Sequence, residues 1–212
     1  MFKKWMLGAM AASVLALALA GFYGVTPTLA AGGPGGRGPV ATGSGQLLTL
    51  PAASDLNDDE AAGLLWMYEE EKLARDVYTA LEAQWGAAVF SNIALSEQKH
   101  MDAIQVLLDR YTLSVPANPA GVFTNPSLQA LYTSLVERGG QSLTAALQVG
   151  VDIENLDIAD LDQRLAQTDN GDLQQVYANL RSGSTNHLRA FTGSGGGQPA
   201  ARTHAAGRGG RP

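Results

Sequence analysis

Residues 64–81 read LLWMYEEEKLARDVYTAL, and this stretch decides the fold. Apolar side chains recur in it at steps of three and four residues, which places them on one face of a helix. That face carries Leu64, Met67, Glu71, Ala74, Tyr78 and Leu81. A glutamate therefore interrupts an otherwise apolar face. Since a buried carboxylate needs a compensating group, the stretch predicts a helix with a chemical role.

The same period recurs in three further long segments, and no segment shows sustained strand alternation. We predict a long helix from Asp55 or Asn57, either of which could cap it, to about residue 85. Further long helices are predicted at about 91–111, 142–167 and 172–191, with a short helix at about 127–138. An up-down arrangement with short loops fits less well, because the connection at 112–126 is long. Two long helices, a crossover and two more long helices are the connectivity of ferritin-like bundles. The predicted fold is an all-α, ferritin-like four-helix bundle whose long crossover contains a short extra helix.

The beginning of the chain has the pattern of an export signal. Lys3 and Lys4 precede an apolar run that ends at Ala20, and small residues offer cleavage after Ala20 or Ala30. An uncleaved membrane anchor is the alternative, but the run is short for a span of about 20 residues. We predict a signal peptide at 1–30 and export to the periplasm or the medium.

Glycine-rich segments flank the predicted helices. We predict a flexible linker at 31–53, the helical bundle at 54–193 and a disordered Gly/Arg tail at 194–212, because the flanks bury too little apolar surface to order themselves. The formal charge is −6, and removing the two signal lysines makes it −8. An acidic domain of this kind gains no electrostatic help in binding nucleic acid or an anionic membrane, and we expect neither as a partner.

The absence of cysteine excludes several kinds of site. With no cysteine in the chain, a lipoprotein anchor, a disulfide framework, a zinc-thiolate site and an iron–sulfur site are all ruled out. Any metal would have to be bound by oxygen and imidazole ligands.

Six polar side chains fall on the apolar faces of the four long helices. They are Glu71, Glu97, His100, Glu154, Asp157 and His187. Four unpaired buried carboxylates would each cost several kcal/mol and would repel one another. A pair of divalent cations would supply the missing positive charge, with carboxylates bridging the ions and neutral imidazoles completing their coordination. The sequence therefore predicts a metal centre among the long helices.

These residues also have structural interpretations that involve no metal. Glu71 ends a run of three glutamates, which usually marks a solvated face, and Glu70 would point inward if the helix were turned by one residue. Asp157 could instead pair with Arg75 or Arg189. A helical bundle whose polar core is an internal salt-bridge network is the competing interpretation.

Two motifs resemble those of rubrerythrins. Residues 71–78, EKLARDVY, match the first-helix motif Glu-x-x-Ala-Arg-x-x-Tyr, and Glu97 with His100 matches the second-helix motif Glu-x-x-His. From about 64 to 191 the chain is similar to an uncharacterised, often exported ferritin-like family of bacteria and archaea, domain of unknown function 2202. The phrases that carry this similarity lie at 70–78, 153–158 and 183–191.

The resemblance implies a ferritin-like fold with a dinuclear metal site, whose ligands include the matching residues of the first two helices. The third helix would contribute Glu154. The fourth helix has His187, but Ser184 stands where the pattern has a glutamate. Asp157, one turn after Glu154, would then replace the missing carboxylate.

The metal and the reaction stay open at this level. The resemblance implies two iron ions, with manganese or zinc, or a mononuclear site, as alternatives. The family supplies no reaction. Three functions remain: a ferroxidase or peroxide-reducing enzyme, a non-catalytic exported metal-binding protein, and a structural bundle with a polar core.

Overall fold

The structure, a computed structural model, describes residues 49–194. Within this range the chain is all-helical, with five helices and no strand, which confirms the all-α part of the predicted fold. The helices are α1 (Asp58–Trp85), α2 (Ala88–Arg110), α3 (Pro126–Gly139), α4 (Leu143–Gln167) and α5 (Gly171–Ser194). The predicted signal peptide, residues 31–48 of the predicted linker and residues 195–212 of the predicted tail lie outside the described residues. None of the described helices is both long enough and apolar enough to cross a membrane.

Local sequence sets the ends of α1 and α4. The side chain of Asn57 accepts a hydrogen bond from the backbone N–H of Glu60 at 2.9 Å, and the Glu60 carboxylate accepts one from the N–H of Asn57 at 3.0 Å. This reciprocal pair satisfies two free amides at the start of α1. Gly86 ends α1 with a φ of +61°, a conformation that favours glycine. The hydroxyl of Ser142 caps α4 by accepting from the N–H of Ala145.

The long helices pack as two pairs. α1 packs against α2 and α4 against α5, and the pairs meet where α1 contacts α4 and α2 contacts α5. The short helix α3 packs on α1 and α4. At Gly150 of α4, a Cβ would lie 2.6 Å from the ring of Phe191, so the glycine allows α5 to approach α4 closely. That ring lies beside Tyr78 of α1, with 5.1 Å between ring centroids, so three of the long helices meet at this point of the core.

A buried lysine fixes the connection between α2 and α3. Lys72, only 4% exposed, forms an ion pair with Asp76 at 2.7 Å. Its ammonium group also donates to the carbonyls of Pro119 and Val122 at 3.0 and 3.2 Å and lies 4.2 Å from the ring centroid of Phe123. Through these contacts the ammonium group of Lys72 holds the segment between α2 and α3 against α1.

The described end of the predicted linker lies against the helices. Leu50 is partly buried against the hydrophobic core, and the carbonyl of Pro51 accepts a hydrogen bond from Arg110 at 2.8 Å. The hydroxyl of Ser54 is hydrogen-bonded to Asn170. Residues 49–57 therefore form an extended strap across one end of the helices.

Candidate metal centre

The six polar residues predicted from the helical faces lie together in the core. Glu71 of α1 is 2% exposed, and Glu97 of α2 and Glu154 of α4 are each 1% exposed. Asp157 and His187 are also buried, and the side chain of His100 is only 11% exposed. The four long helices therefore bring together four buried carboxylates and two imidazoles that are about one tenth exposed.

Glu97 stands at the centre of this cluster. Its Oε2 lies 2.8 Å from Nδ1 of His100, and its Oε1 lies 3.0 Å from Nδ1 of His187. The two imidazole rings are stacked, with 5.3 Å between centroids and 26° between planes. One atom from each of these three residues can be chosen so that all lie within 4.8 Å of one another. A single carboxylate thus faces two imidazoles, one through each oxygen.

Each histidine also faces a second glutamate. Nδ1 of His100 lies 3.2 Å from Oε2 of Glu71, and Nδ1 of His187 lies 3.5 Å from Oε2 of Glu154. The hydroxyl of Tyr78 donates to the other oxygen of Glu154 at 2.7 Å. The cluster therefore has two halves, each with one imidazole and one outer glutamate, joined by the central carboxylate.

Asp157 is the fourth carboxylate and lies beside Ser184. Burial raises the pKa of Asp157 to about 7; the neighbouring Ser184 hydroxyl opposes this shift and the charge of Glu97 adds to it. Its Oδ1 is buried and has no hydrogen-bond partner among residues 49–194. Ser184 is fully buried and its hydroxyl donates to the carbonyl of Leu180 at 3.0 Å. Asp157 of α4 therefore lies at the place where the resemblance would put a glutamate on α5.

If all four carboxyl groups of the cluster were ionised, their negative charge would exceed the positive charge of its two histidines. Burial raises the pKa of Glu154 to about 8, and burial together with repulsion from Asp157 raises that of Glu71 well above its usual range. Although burial opposes it, contacts with Glu154 and Glu97 raise the pKa of His187 to about 9. Burial also opposes ionisation of Glu97, but the two histidines lower its pKa to about 2. Glu97 is the only one of the four carboxyl groups whose pKa is lowered.

The nearby arginines bind elsewhere. Arg75 forms an ion pair with Asp76 at 2.7 Å and donates to Gln98 at 2.6 Å. Arg189 donates to Asn186 at 2.9 Å. Within the described range, no lysine or arginine forms an ion pair with any of the six residues. The alternative in which Asp157 pairs with one of these arginines is wrong.

Several buried atoms of the cluster face one another without forming hydrogen bonds. Those lacking a hydrogen-bond partner in the described part of the chain include Oε1 of Glu71, both carboxylate oxygens of Glu97, Oδ1 of Asp157 and Nδ1 of His187. Neighbouring ligands of an octahedral ion at about 2.1 Å are separated by about 3.0 Å. The nitrogen–oxygen separations of 2.8 to 3.5 Å lie around this value. The donor types and the spacing of the residues present are therefore compatible with a metal ion.

The structure adds two carboxylates that the periodicity did not assign. Glu70 is fully buried, and burial and repulsion from Asp160 and Asp157 raise its pKa well above the usual range. Asp160 accepts a hydrogen bond from the indole of Trp66 at 3.3 Å. Because α1 packs against α2, α3 and α4, it is buried around most of its circumference, and adjacent glutamates both point inward. The unbroken apolar run LLWMY at residues 64–68 was the sequence signal that α1 is buried on more than one face.

Two small residues also contact the histidines and were not found from the sequence. The Nε2 atom of His187 lies 2.9 Å from the hydroxyl oxygen of Ser96. A Cβ added to Gly183 of α5 would lie 2.5 Å from Nε2 of His100. Helical periodicity carries no signal for such contacts, because they depend on how two helices are placed relative to each other.

Together these features define a class, an all-helical protein with a buried cluster of carboxylates and imidazoles. Residues 60–196 match the family described as Uncharacterized protein domain (DUF2202), and the chain belongs to this family, which confirms that part of the predicted resemblance.

The uncharacterized protein MJ0754 of Methanocaldococcus jannaschii is 51% identical over 138 residues, which cover 64% of this chain and 75% of that protein. The crystal structure of hypothetical protein MJ0754 matches with a TM-score of 0.67 at 48% identity, over 69% of this chain and 85% of that one. A DUF305 fragment from Deinococcus radiodurans matches at 16% identity, over 69% of this chain and 99% of the fragment, with a TM-score of 0.49, which is too low to support an argument.

Proposed function

We propose that this protein is exported and that it binds two divalent metal ions, iron by preference, within a ferritin-like four-helix bundle. The observation that carries the proposal is the convergence of buried carboxylate and imidazole atoms that have no lysine or arginine to balance them in the described part of the chain. Di-iron bundles use one glutamate from each of two helices and a Glu-x-x-His pair from each of the other two. Here Glu71, Glu154 and the pair Glu97 and His100 match that pattern, and the remaining helix supplies only His187.

Glu97 would contribute a ligand to both ions, because each of its oxygens faces a different imidazole. One ion would be held by Glu71 and His100. The other would be held by Glu154 and His187. Each position therefore combines one imidazole with carboxylate oxygens.

The ligand types favour iron. Carboxylates suit hard cations such as Mn²⁺, while imidazole suits iron and zinc, and sites with both ligand types are typical of non-haem iron. Asp157 takes the place of the carboxylate that is absent at Ser184, so the number of carboxylates is kept. A bound iron pair would supply one-electron redox chemistry, while the protein residues bind the ions and exclude bulk water.

The direct test is the metal content and the metal-dependent stability of the wild-type protein. We expect two ions per chain after purification without chelators. A metal at a hundredfold excess over its dissociation constant should stabilise the fold by about 2.7 kcal/mol, or roughly 5–10 °C in Tm. Fe²⁺ without oxygen, Mn²⁺ and Zn²⁺ should be compared with chelator. One ion per chain would contradict the dinuclear site, and no ion with identical melting in every condition would contradict metal binding altogether.

A redox activity is the second candidate, and the environment of Tyr78 favours it. The Tyr78 hydroxyl donates to Glu154 at 2.7 Å, and its ring lies 6.3 Å from that of Phe90 and 5.1 Å from that of Phe191. An oxidisable side chain thus contacts a proposed ligand directly. Consumption of oxygen or peroxide by the Fe²⁺-loaded protein, above that of a Glu97→Gln variant, would support an enzyme. Equal consumption would favour a non-catalytic metal-binding protein.

Metal affinity should rise with pH between about 6 and 9, because the ligands hold protons that the metal must displace. The metal-free pKa values are about 7 for Asp157, about 8 for Glu154 and about 9 for His187. All three are raised above the unfolded values, so these groups make the metal-free fold less stable as pH rises through this window.

The gain in Tm from a fixed excess of Mn²⁺ should therefore be larger at pH 8 than at pH 6. Melting curves in chelator and in Mn²⁺ at both pH values provide the measurement. An equal or smaller gain at pH 8 would contradict the proposed ligand set.

A further inference from the structure

The two ring nitrogens of His187 lie in different surroundings. Nδ1 points into the cluster, 3.0 Å from Glu97 and 3.5 Å from Glu154, and is buried without a hydrogen-bond partner among residues 49–194. Nε2 lies 2.9 Å from the hydroxyl oxygen of Ser96, in hydrogen-bond geometry. Ser96 directly precedes Glu97, so adjacent positions of α2 contact opposite sides of one imidazole.

His100 is held differently. Its Nδ1 is hydrogen-bonded to Glu71 at 3.2 Å. Its Nε2 lies against the backbone of Gly183, where a Cβ would be only 2.5 Å away. Close packing therefore orients His100, whereas a hydroxyl group orients His187.

We infer that Ser96 is a positioning residue of the metal centre, whose hydroxyl oxygen accepts the Nε2–H of His187 and keeps Nδ1 directed at the metal. This inference rests on the proposed function. A neutral imidazole carries one N–H, so holding the proton on Nε2 leaves the lone pair of Nδ1 free to bind an ion. Metal-binding histidines generally donate their second N–H to such a partner.

The chemistry of a hydroxyl suits this position. The cluster already contains four carboxyl groups, and a carboxylate in place of the Ser96 hydroxyl would add a fifth beside them. A hydroxyl accepts the N–H without adding charge. It can accept from Nε2 whether His187 is the neutral ligand or the imidazolium, so the ring can keep its orientation when the metal is absent.

The test compares Ser96→Ala with Ser96→Thr, which keeps a hydroxyl, and with Ser91→Ala as the matched control. Ser91 lies on the same helix, and its exposed hydroxyl donates only to the carbonyl of Ala88. Zn²⁺ and Mn²⁺ affinities would be measured by competition with a chelator. Nitrogen NMR of the Zn²⁺-loaded protein would identify the metal-bound nitrogen of His187.

We expect Ser96→Ala to weaken metal binding by about 10–100-fold, with little change in the metal-free Tm. Ser96→Thr and Ser91→Ala should bind as the wild type does, with Nδ1 of His187 on the metal. Unchanged affinity in Ser96→Ala would overturn the inference and leave the proposed function intact. Zn²⁺ bound to Nε2 in the wild type would also overturn it, whether or not the alanine variant folds. A wild type that takes up no ion would contradict the proposed function first, and the inference with it.

Discussion

Asp157→Asn should make the metal-free protein more stable at pH 8 and should remove most of the stability that metal confers. The pKa of Asp157 is raised to about 7, mainly by burial, so at pH 8 the wild type carries a buried charge at a cost. Asparagine has the same shape and no charge, and we expect a gain on the order of 1 kcal/mol. At pH 6 the gain should be smaller, and it should disappear only near pH 4, where Asp157 is protonated in the unfolded chain as well as in the fold.

Glu97→Gln should have the opposite effect on the metal-free protein and the same effect on metal binding. The two histidines lower the pKa of Glu97 to about 2, so its charge stabilises the fold at neutral pH. Removing one partner of such a buried pair costs about 3 kcal/mol. The ligand shared by the two metal positions is lost with it, so added metal should no longer raise the Tm.

The two variants together separate a metal centre from a structural salt-bridge core. Melting curves with chelator and with Mn²⁺ measure both effects. The matched control is Asp162→Asn, on the same helix as Asp157. Asp162 pairs with Arg181 at the surface, and such exposed pairs contribute little to stability. If both Asp157→Asn and Glu97→Gln destabilised the metal-free protein and metal had no effect on the wild type, the salt-bridge core would be the correct interpretation.

Gly183→Ala should weaken metal binding while leaving the fold intact. The new methyl group would lie 2.5 Å from Nε2 of His100, so the ring must move away from Glu71 and Glu97. Alanine is favoured over glycine inside a helix by about 1 kcal/mol, which offsets part of the strain. We expect metal affinity to fall by about 10–100-fold, the range for a disturbed ligand, with a metal-free Tm close to that of the wild type.

The matched control for this variant is Gly193→Ala. Gly193 lies on the same helix, and a Cβ there would meet no atom within 4 Å. Its metal affinity should equal that of the wild type. A Gly183→Ala protein that binds metal as tightly as this control would show that the position of His100 is not needed, and the proposed ligand set would be wrong.

Much of the fold could be predicted because it depends on neighbours along the chain. The Asn57 cap, the stop at Gly86 and the cap at Ser142 are local patterns, and each lies at the predicted end of its helix. Helix ends without such a local pattern were predicted less accurately. α2 begins at Ala88 rather than at the predicted Ser91, with no side-chain cap at its start.

The sequence by itself predicted most of the polar residues on buried helical faces, though not Glu70 or Asp160, because a face repeats every three to four residues whatever lies opposite. This period identified Glu71, Glu97 and His187 as candidate metal ligands. Only the tertiary structure decided which atoms meet: that Glu97 lies between two imidazoles, that Ser96 contacts the outer nitrogen of one, and that Gly183 admits the other. Apart from the contact of Glu97 with His100 within α2, these contacts join different helices. Their geometry depends on how far each helix is shifted along and turned against its neighbour, which no pattern within a single helix encodes.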